Sequence, residues 1–303
     1  MTKDSLASRC GFVAVLGAPN AGKSTLVNAA VGGKVSIVTH KVQTTRARVR
    51  GIMQHGDTQI AFVDTPGIFA PRRRLDRAMV AAAWSEAQEA DVVMLLIDAH
   101  RGLTSDVRAI LARLAEPRPR KLFLVLNKID LVRRDALLGL AQQVNDTLAF
   151  DRTFMVAAAG GDGVADILDA VAAEMPAGPW LFDPEHLSDM PNRLLAAEIT
   201  REQVFLQLHQ ELPYAMTVET ESWEDKEDGS VRIEQTIYVQ RDGQKSIVLG
   251  KGGTRIKGIG AAARKELEAL LETRVHLFLF VKVRDNWLDD PERYRDWGLD
   301  FNA

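Results

Sequence analysis

Residues 17–24 read Gly17-Ala18-Pro19-Asn20-Ala21-Gly22-Lys23-Ser24, a G-x-x-x-x-G-K-S run. Two glycines at this spacing let the backbone curl round an anion with its N–H groups turned inward, and a helix starting directly afterwards adds its N-terminal dipole. Lys23 is spaced to reach the β- and γ-phosphates of a nucleoside triphosphate, and Ser24 to ligate Mg2+.

Two further motifs narrow the nucleotide. Asp64-Thr65-Pro66-Gly67 closes an apolar run. Asp64 at that place can hold Mg2+ through water, and Gly67 can offer its N–H to a γ-phosphate. Asn127-Lys128-Ile129-Asp130 closes another apolar run. The Asp130 carboxylate can accept from guanine N1–H and the exocyclic amine together, whereas adenine would leave it unpaired. The Lys128 stem can cover the face of the base. Together the three motifs point to a GTPase.

Between the first two motifs lies the polar segment 38–46. A threonine that orders on Mg2+ and γ-phosphate only with GTP would make this segment a switch. Thr45 is the candidate, with Thr44 as the alternative. Lys23, Thr45 and Gly67 are the candidate catalytic residues, and Ser24, Thr45 and Asp64 the candidate metal ligands. A second switch is expected after Gly67, through Pro71 to Arg72-Arg73-Arg74. That basic run reads equally as a solvated surface and as an RNA or phosphate contact. Ile68 stands where many switch GTPases place a water-orienting glutamine. Isoleucine cannot orient water, so intrinsic hydrolysis is expected to be slow or to use another group. The Asn20 side-chain oxygen offers one route, by coordinating potassium near the phosphates; a plain loop cap is the equal alternative.

The elements that must carry these motifs alternate. Apolar strands are expected at 12–16, 60–64, 92–98, 121–126 and 153–157, with helices near 23–31, 75–88, 104–114, 133–147 and 163–174. Continuous apolar strands alternating with amphipathic helices imply a mostly parallel, doubly wound α/β domain. Pro176, Pro179, Pro184 and Pro191 interrupt the pattern and mark a linker. Beyond it the order changes to a helix at 192–210, strands at 214–223 and 231–240, a helix at 254–272 and a strand at 275–283, an α+β module.

In that module Gly250-Lys251-Gly252-Gly253 is a GxxG loop, which lets a nucleic-acid backbone approach closely. Lys251 lies in the loop and Arg255 and Lys257 follow it. Ile247, Leu249, Ile256 and Ile259 flank it as expected walls for bases. Residues 232–284 hold eleven Lys and Arg against five acids, an excess of six positive charges. The whole chain carries −3, a sum that hides this footprint of a polyanion site.

The 303-residue length allows two domains, and 46% apolar with 26% charged residues excludes a disordered chain. One cysteine, Cys10, excludes a disulfide scaffold and suits a reducing, cytoplasmic setting. No run of about 18 apolar residues is present, so no membrane-spanning helix is expected.

The order GAPNAGKS, QTTR, DTPGI, NKID and IVLGKGGTRIKGIG resembles the Era family of ribosome-associated GTPases, from about Gly11 to Gly298. The resemblance implies a P-loop GTPase domain (1–178), a linker (179–192), a type II KH RNA-binding domain (193–285) and a C-terminal tail (286–303). It implies GTP hydrolysis with Mg2+, and binding to the 3′ end of 16S ribosomal RNA during maturation of the small (30S) subunit. A monomer, loosely associated with the inner membrane, is implied as well. Gly17 and Asn20 through Thr25 (Ala21, Gly22, Lys23 and Ser24 between them) would grip phosphates and Mg2+. Asn127, Lys128 and Asp130 would read guanine, and Gly250 to Gly253 would face RNA. The family's usual Ser-Ala pair in the last nucleotide loop is Ala157-Ala158 here. An Ala158 N–H could still meet guanine O6, so weaker affinity with intact selectivity is expected. The alternative is an RNA-binding assembly factor whose G domain binds GTP but barely turns it over.

Overall fold

The computed structural model describes residues 8–39, 45–46, 48–208, 215–285 and 287–303. The expected switch residues 40–44, Thr44 among them, lie outside the described residues. The chain divides into two compact units: Met1–Ser36, Thr45–Asp189 and Pro291–Ala303 in one, Ile37–Thr44 and Met190–Asp290 in the other.

The first unit holds strands β1 (Arg9–Leu16), β2 (Val49–His55), β3 (Thr58–Asp64), β4 (Val92–Asp98), β5 (Leu122–Asn127) and β6 (Arg152–Val156). Its helices are α1 (Lys23–Val31), α2 (Arg74–Glu89), α3 (Ser105–Leu114), α4 (Arg134–Thr147) and α5 (Val164–Glu174). One six-stranded sheet runs β2-β3-β1-β4-β5-β6. All neighbours are parallel except β2 and β3. Every residue of β3, β4 and β5 is buried, which is why those strands read as unbroken apolar runs. Strand order reverses between β1 and β4, so the carboxyl ends of β1, β3, β4 and β5 open on one crevice, where α/β sheets bind ligands.

Strand β2 has no counterpart in the sequence expectations. It is an antiparallel edge with Gly51 as its third residue. A Cβ on Gly51 would lie 2.7 Å from a Val31 methyl and 2.8 Å from one of Val27, so the glycine records close packing of α1.

Two stretches expected to be loose carry contacts within this unit. In the proline-rich stretch, Gln59 accepts from the Leu181 and Phe182 N–H groups and donates to Phe182 O, and Ser188 bridges Gly51. Prolines remove donors but leave carbonyls, so this stretch can still serve a sheet edge. The C-terminal stretch includes α9 (Pro291–Asp296), with Tyr294, Trp297 and Leu299 buried. The Trp297 carbonyl accepts from Arg48 N–H, and Arg74 stacks 4.4 Å above the Phe301 ring.

The second unit holds α6 (Asn192–Gln207), β7 (Met216–Asp225), β8 (Val231–Val239), α7 (Asp242–Leu249), α8 (Thr254–Leu271) and β9 (Val275–Val283). Its sheet runs β7-β8-β9, antiparallel then parallel. Ala197, Val204, Ile237, Val248 and Ile259 form its core with neighbours from every helix.

Candidate functional site

The phosphate loop leaves β1 at Leu16 and enters α1 at Lys23. Gly17 has φ 155° and Gly22, the N-cap, φ 97°. A Cβ at Gly17 would sit 2.4 Å from Leu96 O, and at Gly22 2.2 Å from Asn127 Nδ2. No side chain fits either place. Behind the loop, Lys23 is 6% exposed and its Nζ donates to Gly17 O and Ala18 O, both at 3.2 Å. Burial lowers its pKa to about 8 against the opposing pull of Asp64. Thr25 is half-buried in the first turn of α1.

Ser24, Thr45 and Asp64 meet here, from α1, the end of the switch segment and the end of β3. The Ser24 hydroxyl donates to Asp64 Oδ2 at 2.7 Å, Thr45 Oγ1 donates to the same oxygen at 3.3 Å, and the two hydroxyls are 3.1 Å apart. Asp64 is fully buried, and burial raises its pKa against the pull of Ser24, Lys23 and Thr45. Its Oδ1 has no hydrogen-bond partner; the Ser36 hydroxyl lies near the carboxylate without closing one. A buried carboxylate with an orphaned oxygen beside two hydroxyls is a donor set that fits Mg2+. No described residues form a cluster of three or more carboxylate, imidazole or thiol groups. Mg2+ with few protein ligands takes its remaining oxygens from phosphates and water.

Gly67 completes this edge. A Cβ there would lie 2.9 Å from Pro19 Cα, so only glycine lets the chain after β3 approach the phosphate loop this closely. The next residue, Ile68, donates its N–H to Gly17 O at 3.0 Å and is buried in the core. Its side chain is therefore a packing group rather than one that faces the crevice.

The guanine-type motif closes β5. Asn127 is 2% exposed; its Nδ2 donates to Ala21 O at 2.9 Å and its Oδ1 accepts from Ala158 N at 3.1 Å. It is a strut joining the phosphate loop to the loop after β6. The Ala158 N–H, expected to meet a guanine carbonyl, is given to Asn127 in this structure. Ala157 N–H bonds Asp162 O at 3.1 Å. Lys128 Nζ donates to Asn20 O at 2.8 Å and pairs with Asp98 Oδ2 at 2.7 Å. Asp130 follows, exposed, in a single 3-10 turn.

In the second unit the turn Lys251–Gly253 joins α7 to α8, with Gly250 at φ 70°, Gly252 at 61° and Gly253 at 76°. Lys251, Gly252, Arg255 and Lys257 are exposed. Arg255 Nη1 donates to Ile247 O, capping the last turn of α7. Of the four apolar residues expected to wall a groove, Ile247 is 48% exposed, Leu249 and Ile256 lean on the core, and Ile259 is buried in it. Ile259 is thus a core residue rather than a wall.

Residues 12–128 match the protein family described as "50S ribosome-binding GTPase", and residues 211–288 match the KH domain family. GTPase Era of Rhizobium meliloti is 63% identical over 294 residues, covering 97% of this chain and 94% of that protein. The chain belongs to the Era family of GTPases. A solved Era in complex with MgGDPNP and nucleotides 1506–1542 of 16S ribosomal RNA aligns with a TM-score of 0.91 at 35% identity, covering 96% of this chain and 99% of that one. A point variant of Aquifex aeolicus Era bound to GDP and aluminium fluoride aligns with a TM-score of 0.90 at 35% identity over the same shares.

For an Era-family chain, two residues of this site carry no sequence signal. Asp98 is bonded to a motif lysine. Asn28, within α1, accepts from Val35 and Ser36 N–H at 2.9 Å and donates to Ser36 O at 2.7 Å, pinning the residues that open the switch segment. In sequence it is merely a poor helix former.

Proposed function

We propose that the protein is a GTP-binding and GTP-hydrolysing switch that binds 16S ribosomal RNA near its 3′ end and assists maturation of the small subunit. One observation carries the proposal. A single chain joins a crevice where the phosphate, metal and guanine motifs converge to an exposed GxxG turn on a KH fold. The likeness to the Era solved with MgGDPNP and 16S RNA supports it.

In this reading the G domain, 1–178, does the nucleotide chemistry. Gly17 and Asn20 to Thr25 cradle the phosphates. Lys23 neutralises the β- and γ-phosphate oxygens, and the Gly67 N–H meets the γ-phosphate. Ser24, Thr45 and Asp64 hold Mg2+, which supplies further charge neutralisation between the phosphates. Asp130 reads the guanine edge, with Asn127, Lys128, Ala157 and Ala158 framing the base. Loss of the γ-phosphate removes what Thr45 orders on. Within the switch segment 38–46, Thr45 groups with the first unit and Val38 with the second, where the Val38 N–H donates to Glu202 Oε1 of α6 at 2.7 Å. Ordering that segment therefore acts on the RNA-binding side. There, in 193–285, Gly250 to Gly253 with Arg255 and Lys257 meet the RNA backbone.

Water attacks the γ-phosphate to give GDP and phosphate. With Ile68 in the core, the Asn20 side-chain oxygen would hold a potassium ion, which would supply charge stabilisation near the phosphates. The working place is the cytoplasm, as a monomer with only peripheral membrane contact; no described helix is long and apolar enough to cross a membrane. The buried Ile68 also favours a second reading, a GTP-binding assembly factor that hardly turns over. Single-turnover GTP hydrolysis in potassium and in sodium, with excess ATP as competitor, tests both. Faster turnover in potassium with no effect of ATP is expected. Equal rates in the two salts remove the cation role, absent turnover with 16S 3′ RNA present supports the second reading, and competition by ATP contradicts both.

A further inference from the structure

Two non-glycine residues of the nucleotide site, Asn20 and Lys128, have left-handed backbones, each with φ 64°. Such conformations cost free energy and persist only where the surroundings hold them. Here one group joins both: the Lys128 ammonium donates to the Asn20 carbonyl at 2.8 Å. Its second bond, at 2.7 Å, goes to Asp98 Oδ2.

Asp98 ends β4 and lies in register with Asn127 on β5. Its side chain is 10% exposed, against 33% for Lys128. Its two oxygens have separate tasks. Oδ1 accepts from His100 N–H at 3.0 Å and Arg101 N–H at 3.3 Å, fixing the turn after β4. Oδ2 faces the lysine. The Lys128 stem is thereby fixed at both ends, at its backbone in the turn before Asp130 and at its head between Asn20 and Asp98. A lysine left free on a surface spreads over many rotamers, and a stem that must cover a base would have to be ordered on binding.

We propose that Asp98 is a positioning residue for nucleotide affinity. It holds Lys128 so that the base-covering stem and the phosphate loop form one prearranged surface. This rests on the guanine-nucleotide reading of the same site. Because the brace touches neither the γ-phosphate nor the metal ligands, it acts alike on GTP and GDP and leaves the hydrolytic step alone. Because it does not touch the base edge read by Asp130, it acts alike on guanine and hypoxanthine nucleotides.

The test is Asp98→Asn, which keeps an oxygen for the turn and removes the charge facing Lys128. Affinities for GTP, GDP and ITP are expected to fall together by about tenfold, with kcat at saturating GTP unchanged. In a Lys128→Met background, Asp98→Asn is expected to add nothing, because its effect passes through the lysine. Lys128→Met, which spares Asp98 and its turn, is expected to give a similar fall by itself; this keeps the proposal testable if Asp98→Asn fails to fold. Wild-type affinity in either single variant, a fall in kcat without one in affinity, or effects that multiply in the double variant would overturn it. If the unaltered protein does not prefer GTP to ATP, the guanine reading itself fails. If it does and Asp98→Asn binds normally, only the positioning role fails.

Discussion

The phosphate loop and the KH turn both depend on glycines, but Gly17 and Gly22 are required by space as well as backbone angle, whereas Gly252 and Gly253 are required by angle alone. In the phosphate loop a Cβ at Gly17 or Gly22 would run into Leu96 O or the Asn127 amide at 2.4 and 2.2 Å. The loop is pressed into shape by strands β4 and β5 behind it and tied down by Asn127 and Lys128. In the KH turn a Cβ at Gly252 or Gly253 meets nothing within 4 Å, and the requirement is backbone angle alone. In the proposed function the first is a prearranged loop that receives a small anion. The second would then be an open edge that meets a long polyanion, where affinity grows from phosphate contacts made one after another. Packing defects should therefore ruin the first loop, and charge should ruin the second.

The largest contrast is expected from single alanines. Gly22→Ala should abolish measurable GTP binding and lower the melting temperature, since the amide it strikes is itself a strut. Gly252→Ala should leave GTP binding unchanged and cost about 1 kcal/mol from its backbone angle. Thermal melts with nucleotide titration check both, and normal GTP binding by Gly22→Ala would mean that the phosphate loop has room for a side chain. Next in size, Gly252→Asp with Gly253→Asp should weaken binding of a CCUCC-containing RNA by about a hundredfold, with GTP affinity intact. Unchanged RNA affinity would remove the loop from the interface.

A smaller effect follows from Lys23. Its pKa of about 8 lies below the ordinary 10.5 because the ammonium is buried. Phosphate oxygens favour the charged form, so binding above pH 8 takes up a proton. GTP affinity should then fall as pH rises through 8, by at most about tenfold per unit, and stay level just below it. Titrations at pH 7.5, 8.5 and 9 show this or a flat profile, which would contradict the buried ammonium. Smallest, Ala157→Ser should tighten GTP and GDP binding a few-fold with unchanged preference over ATP, by restoring a hydroxyl that bonds within the last nucleotide loop.

Much of the nucleotide site was legible because its motifs are short and each ends a strand of unbroken apolar residues. Gly17 to Ser24, Asp64 to Gly67 and Asn127 to Asp130 carry their chemistry within a few residues of sequence. The braces were not legible. Asn127 reaches Ala21 across 106 residues and Lys128 reaches Asp98 across 30, and no local pattern records such pairs. Strand β2 was hidden because an antiparallel edge needs little apolar character and because Gly51 argues against a strand until α1 is seen against it. The C-terminal stretch, expected as a tail, packs through Tyr294, Trp297 and Phe301, which are too few among charged residues to show an apolar period. In the KH turn the glycines mark the turn in sequence, but helix periodicity alone does not say which apolar face turns inward, so it cannot tell the core residue Ile259 from a groove wall.

The proposed function requires that guanine nucleotide state and RNA binding be coupled within one chain. The most direct measurement is GTP hydrolysis in potassium buffer while an RNA carrying the 16S 3′ end is titrated in. The predicted result is a saturable rise in turnover, absent when Gly252 and Gly253 are both aspartate. A rate that ignores the RNA, with the RNA shown to be bound in the same mixture, would contradict it.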